Sequence, residues 1–93
     1  MRDVCDHPSV VARHVSSAGC QFVVECGELV CGQKLAFALD GVGKIKARVR
    51  WSVADRVADR VGVAFDRVLD PGAEKILTRY GRAARRLELE IVV

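Results

Sequence analysis

The sequence lacks the features of a membrane-spanning or secreted protein. No apolar run in its 93 residues approaches the roughly 18 residues that a transmembrane helix needs. The N-terminal segment M-R-D-V-C-D-H-P has neither the apolar core nor the cleavage region of a signal peptide. We therefore expect a cytoplasmic protein that does not insert into membranes.

Cysteines are few and their spacing does not favour a metal site. Structural zinc usually takes ligands in close pairs such as C-x2-C, whereas the cysteines here are separated by 14, 5 and 4 residues. Two histidines, His7 and His14, could join them only at similarly irregular distances. We predict no metal. Cys20 and Cys26 have the parity of Phe22 and Val24 in a strand-like run, so we interpret them as small buried hydrophobic groups in a reducing cytosol. The four positions are Cys5, Cys20, Cys26 and Cys31.

Aromatic residues are also scarce, and the net charge of +3 is only mildly basic. Small β-barrels with basic faces often bind single-stranded nucleic acid by stacking bases on exposed aromatic rings. The pattern predicts that four of the five aromatic residues lie in the core, so only Tyr80 is left for stacking, which disfavours nucleic acid. The predicted core aromatics are Phe22, Phe37, Trp51 and Phe65.

The most regular pattern is K-I-K-A-R-V-R-W, residues 44 to 51, in which basic and apolar residues alternate. Such alternation is typical of a half-buried strand, so the apolar residues, ending with Val49 and Trp51, should point inward. The basic residues then form an outer row that we call the sheet stripe. It is either a solvated face neutralised by acidic neighbours or a docking surface for phosphate or an acidic partner. The sheet stripe comprises Lys44, Lys46, Arg48 and Arg50.

The rest of the chain is β-rich and then helical. Further strands are predicted over residues 10–15, 20–26, 33–40 and 61–65, and D-G-V-G (40–43) should form a hairpin loop. Asp70 followed by Pro71 predicts a helix start. Residues 87–93 fit either a last strand or a continuation of the helix. The apolar face of the helix is predicted to contain Ile76, Leu77, Tyr80, Ala84 and Leu87.

A second basic row follows this helix at helical spacing, and we call it the helix stripe. Most such rows are solvated. Together with the sheet stripe it is our candidate docking surface for a protein partner. The helix stripe comprises Lys75, Arg79, Arg82 and Arg86.

No catalytic residues are predicted. The chain has no recognisable paired-carboxylate site, and D-G-V-G lacks the lysine and helix of a phosphate-binding loop. His14 and Ser16 share one face of a strand, but no third group is identifiable that would orient the histidine. The sequence therefore favours a non-enzymatic protein.

One motif and the order of elements resemble a known family. H-V-S-S-A-G (14–19) is similar to the D/N-x-S-x-x-G signature of the bacterial PilZ domain, and V-R-W (49–51), V-G-V-A-F (61–65) and a C-terminal helix follow at similar intervals. The resemblance is strongest over residues 10–80. It implies a single domain over residues 1–93, mainly β, with a six-stranded antiparallel PilZ-like β-barrel and a C-terminal α-helix.

The resemblance also implies a possible site for cyclic di-GMP. Ser16 and Gly19 match the signature, His14 stands at its acidic or amide position, and Arg13 lies beside it. These four residues would bind the ligand if it binds, but the family's R-x-x-x-R motif is absent. Arg13, Arg48 or Arg50 could substitute for its two arginines only in part. Losing two charged, multidentate arginines removes at least about 3 to 6 kcal/mol, whereas a micromolar complex has only about 8 kcal/mol.

We therefore expect a non-enzymatic bacterial signalling or interaction module that acts through a protein partner, without a cofactor and with weak or absent cyclic di-GMP binding. The first alternative is a cyclic di-GMP receptor with a rebuilt site. The second is a small basic β-barrel that binds single-stranded nucleic acid.

Overall fold

The structure, a computed structural model, describes residues 7–54 and 56–92. These residues form one sheet and one helix. In chain order the elements are β1 (Ser9–Arg13), β2 (Gly19–Cys26), β3 (Lys34–Leu39), β4 (Gly43–Val53), β5 (Arg60–Phe65), α1 (Pro71–Arg82), β6 (Leu87–Glu88) and β7 (Glu90–Val92).

The sheet is antiparallel throughout, with the strand order β6-β1-β2-β5-β4-β3-β7. It curls into a nearly closed barrel, which confirms the predicted mainly-β, antiparallel class with a C-terminal helix. The strand count is seven rather than six, because β6 pairs with β1 while β7 pairs with β3, with only Leu89 between them. The C-terminal segment is thus strand rather than helix, and it joins both edges of the sheet.

Alternating side chains of the strands fill the barrel. Phe37 lies at the centre of an aromatic cluster, with its ring centroid 5.6 Å from that of Phe22 in an edge-to-face arrangement and 6.5 Å from that of Phe65. Such pairs contribute beyond the area they bury. The inward positions predicted for β4, namely Ile45, Ala47 and Val49, are buried. Alternate residues of the neighbouring strands are buried as well, namely Leu35 and Leu39 in β3 and Val61 and Val63 in β5.

Helix α1 begins where the sequence predicts. The Oδ1 atom of Asp70 accepts a hydrogen bond from the N–H of Ala73 at 2.8 Å, which caps the first turn, and Pro71 occupies the first helical position. The buried face of the helix contains Ala73, Leu77 and Tyr80.

The helix ends earlier than its apolar pattern suggests. Ala84 has a left-handed backbone, with a φ of 52°. Its N–H donates to the carbonyl of Gly81, and the N–H of Arg85 donates to the carbonyl of Tyr80. This arrangement terminates helices. Ala84 is therefore exposed and Leu87 belongs to β6, so the prediction that both lie on the apolar face of the helix is wrong.

The helix also packs closely on β1. A Cβ atom at Gly81 would lie 2.3 Å from the carbonyl oxygen of Ala12, which is far inside van der Waals contact. Glycine at position 81 is less favourable in a helix than alanine. Its missing side chain, however, allows the helix backbone to approach the strand.

The cysteines differ from one another. Cys20 is buried, and burial raises the pKa of its thiol to about 12. Cys31 is exposed, with its Sγ donating to the carbonyl of Arg50 at 3.1 Å, and Cys26 is disulfide-bonded. The interpretation as reduced, buried thiols is confirmed for Cys20 and is wrong for Cys26, which is not a free thiol; Cys5 lies outside the described residues.

Candidate functional site

A register shift in β4 determines the candidate site. Val49 pairs with Val63, and Trp51 pairs with Gly62, so Arg50 is an extra residue at a β-bulge. A bulge reverses the parity of the residues that follow it. Trp51 consequently lies on the outer face with 41% of its surface exposed, and the prediction that it belongs to the core is wrong.

Trp51 lies at the end of a row that crosses four strands. Arg13 pairs with Gln21, Gln21 with Gly62, and Gly62 with Trp51, and residues paired in this way share a face of the sheet. The indole lies against the backbone of Gly62, where an added Cβ atom would come within 2.2 Å of the ring. The indole therefore packs directly against β5, and only glycine at position 62 leaves room for it.

The turn that resembles the PilZ signature lies beside this row. The N–H and Oγ of Ser16 both donate to the carbonyl of Gly19, at 2.8 and 3.1 Å, and the N–H of Gly19 donates back to Ser16 Oγ at 3.3 Å. Gly19 also needs its missing side chain, because a Cβ atom there would lie 2.2 Å from the carbonyl oxygen of Val63. The two matching residues thus close the turn and seat it against β5.

Part of the predicted ligand set meets in one place. A shallow pocket of about 250 Å³ is lined by His14, Ser16 and Gly19 together with Arg50 and Trp51. The structure therefore brings three of the four predicted residues together and adds an arginine and an exposed aromatic ring.

The fourth predicted residue stands apart from that pocket. Arg13 lies three strands from Trp51 along the row, about 14 Å at the usual strand spacing, and it does not line the pocket. Arg50 is thus the only arginine in the lining.

The sheet stripe has the predicted exposure. Lys44, Lys46, Arg48 and Arg50 are all exposed, and Lys44 is neutralised by Glu90, with 3.3 Å between Nζ and Oε2. No ion pair to a described carboxylate forms at the other three.

Sequence reasoning missed one member of this face. Lys34 is exposed and lies directly opposite Arg48 in the pairing of β3 with β4. The signal was available, since Leu39 pairs with Gly43 across the predicted D-G-V-G loop and counting back along both strands reaches Lys34 and Arg48.

The helix stripe is only partly on the helix. Lys75, Arg79 and Arg82 are exposed on α1, but Arg86 lies beyond the helix end, so its placement in this row is wrong.

Tyr80 is buried rather than free for stacking. The guanidinium of Arg85 lies 4.1 Å from the centroid of the Tyr80 ring. The same guanidinium forms an ion pair with Asp40, with 3.9 Å between Nη2 and Oδ2. Trp51 is therefore the exposed aromatic residue among those described, and the interpretation of Tyr80 as the ring left for stacking is wrong.

A larger groove of about 680 Å³ lies between the start of β4 and the connection from β5 to α1. Lys44, Lys46 and Arg67 line it together with two carboxylates, Asp66 and Asp70. Asp70 is already used in capping the helix and Lys44 is paired with Glu90, which leaves Lys46, Arg67 and Asp66 as the other charged residues of the lining.

Two further observations concern the described residues as a whole. They contain no group of three or more His, Cys, Asp or Glu side chains arranged to hold a metal ion. No helix formed by residues 7–54 and 56–92 is long and apolar enough to cross a membrane.

Comparison with known protein families, curated proteins and solved structures gives no match. Function is therefore inferred from the residues and their geometry.

Proposed function

We propose that this protein is a non-enzymatic interaction module of PilZ type that acts in bacterial signalling through contact with a protein partner. The observation that carries the proposal is the position of Trp51, held on the outer face of the barrel by the bulge at Arg50. Tryptophan and arginine are the residues that most often dominate binding energy at protein interfaces. Val53, two residues further along β4, is 55% exposed and extends the apolar surface.

The shape of the surface beside Trp51 supports a protein partner over a small molecule at that site. Pockets that bury a small ligand usually enclose roughly 300 to 1,000 Å³, which is more than the shallow pocket beside Trp51 provides. Catalysis is not supported either, because the Ser16 hydroxyl donates to Gly19 rather than to His14 and so lacks the base that would activate it.

Affinity capture from an extract of the source organism tests the proposal. The bait proteins are the parent, Trp51→Ala and a matched control, Val68→Ala, which removes an exposed apolar side chain on the β5 to α1 connection. We expect Trp51→Ala to lose partners that the parent and the control retain. Recovery of the same proteins by all three baits would contradict the proposal.

The second candidate function is cyclic di-GMP binding at a rebuilt site. It is supported by the meeting of His14, Ser16 and Gly19 with Arg50 and Trp51, since an indole can stack on a guanine and a guanidinium can pair with a phosphate. One lining arginine in place of two favours a dissociation constant weaker than about 1 μM.

Titration calorimetry with cyclic di-GMP decides this candidate. The variants are Arg50→Ala and a control, Arg79→Ala, which removes an exposed arginine outside the pocket. Submicromolar binding that Arg50→Ala abolishes and Arg79→Ala preserves would make the nucleotide the principal ligand. Undetectable binding would remove the candidate.

A further inference from the structure

Two like charges face each other on the outer surface of the barrel. Lys34 and Arg48 are direct partners in an antiparallel pair, which places their Cβ atoms roughly 5 Å apart. Both side chains are exposed, and neither forms an ion pair with a described carboxylate. Like charges directly opposite each other destabilise a sheet, and an anion bound over them would remove the repulsion.

This pair belongs to a longer array. Lys46, Arg48 and Arg50 follow one another along the outer face of β4, at about 7 Å per two residues, and Lys34 lies beside them on β3. The array leads directly into the exposed Trp51. One end of this surface is therefore cationic, and the other is apolar.

Resting on the proposed function, we propose that this face binds an acidic protein segment whose carboxylates contact Lys34, Lys46 and Arg48 and whose apolar side chain packs on Trp51. A second copy of this chain does not fit, because a twofold contact through the same face would bring two cationic arrays together. Single-stranded nucleic acid fits less well, since it usually stacks successive bases on several rings and this face presents one.

The Lys34 and Arg48 pair allows a test with two opposite readouts. Lys34→Glu places opposite charges across the pair. It should raise the unfolding midpoint and lower the affinity for the acidic segment. The double variant Lys34→Glu/Arg48→Glu restores like charges, so its stability should return toward that of the parent while binding falls further. Higher stability with weaker binding cannot arise from misfolding.

The probe is a peptide selected by the parent protein from a random phage-displayed library, with affinity measured by fluorescence polarisation. We expect selected peptides to combine Asp or Glu with a large apolar residue. Lys34→Glu should weaken binding about tenfold, and higher salt should weaken binding to the parent. The proposed segment makes no contact with the helix stripe, so the control Lys75→Glu, a charge reversal on α1, should change affinity by less than about twofold.

Three results would overturn the inference. They are peptides without acidic enrichment, affinity unchanged by Lys34→Glu, and tighter binding of oligothymidylate than of any selected peptide. If Trp51→Ala abolishes partner capture while Lys34→Glu leaves it intact, the inference of an acidic segment is wrong but the proposed function stands. If neither change affects capture, the proposed function is wrong as well.

Discussion

Replacing Gly81 with alanine should destabilise the protein, although helix propensity predicts the reverse. Alanine is favoured over glycine inside a helix by about 1 kcal/mol. The added methyl group, however, would lie 2.3 Å from the carbonyl oxygen of Ala12, so either α1 or β1 must move. Because the contact is with backbone, no side-chain rotation can relieve it.

The magnitude follows from two opposing effects. Overpacking in a close contact typically costs about 1 to 3 kcal/mol, and moving the helix away also loosens Leu77, which is fully buried. A contact of 2.3 Å with backbone belongs to the upper part of that range, about 2 to 3 kcal/mol, so subtracting the propensity gain of about 1 kcal/mol leaves a net loss of about 1 to 2 kcal/mol. The sign of the change therefore separates close packing from helix propensity.

Urea unfolding followed by circular dichroism measures the effect. Lys75 is exposed on the same helix, so the difference between Lys75→Gly and Lys75→Ala gives the glycine penalty where nothing obstructs a side chain. We expect Lys75→Ala to exceed Lys75→Gly in stability by about 1 kcal/mol, whereas Gly81→Ala should fall below the parent. A Gly81→Ala variant as stable as the parent or more stable would refute the close approach.

Three further predictions concern single side chains. Trp51→Ala should lower the free energy of unfolding by about 1 to 2 kcal/mol, because the exposed part of the ring contributes no burial. A loss above about 4 kcal/mol, measured by urea unfolding, would instead show that Trp51 is buried in the core. Ala84→Gly should raise stability by about 1 kcal/mol by relieving the left-handed backbone at the helix end, and a decrease in the thermal midpoint would contradict it. Iodoacetamide followed by peptide mass spectrometry should label Cys31 in the native protein and Cys20 only after unfolding. Because burial raises the pKa of Cys20 from 9.0 to about 12, its contribution to stability should be complete below pH 9.0 and lost as pH rises toward 12, a loss that Cys20→Ala should not show.

Alternation and capping residues explain why much of the fold was predictable. Leu35 and Phe37 face inward because a strand with one buried face has a strict period of two, and no bulge interrupts β3. Asp70 and Pro71 predict the helix start because their chemistry is local: one accepts a backbone N–H, and the other needs none.

The departures have causes that the sequence pattern does not contain. K-I-K-A-R-V-R-W alternates without interruption, yet the pairing of β4 with β5 inserts a bulge at Arg50, so the face of Trp51 depends on its pairing with the next strand rather than on the alternation within β4. The helix end is hidden for a different reason. Ala84 adopts the left-handed conformation that glycine usually marks, so no glycine signals the stop.

The C-terminal segment has a consequence for folding and aggregation. β6 and β7 occupy opposite edges of the sheet, so residues 87–92 cover backbone donors and acceptors on both β1 and β3. Unpaired strand edges recruit other chains, and among residues 7–54 and 56–92 these two edges pair only with a segment that follows every other described element in sequence. During synthesis, both edges therefore stay open until residues 87–92 have been made and pair with them. A variant shortened before Leu87 would keep the aromatic core and expose both edges, and we expect it to aggregate through strand pairing rather than through loss of the core.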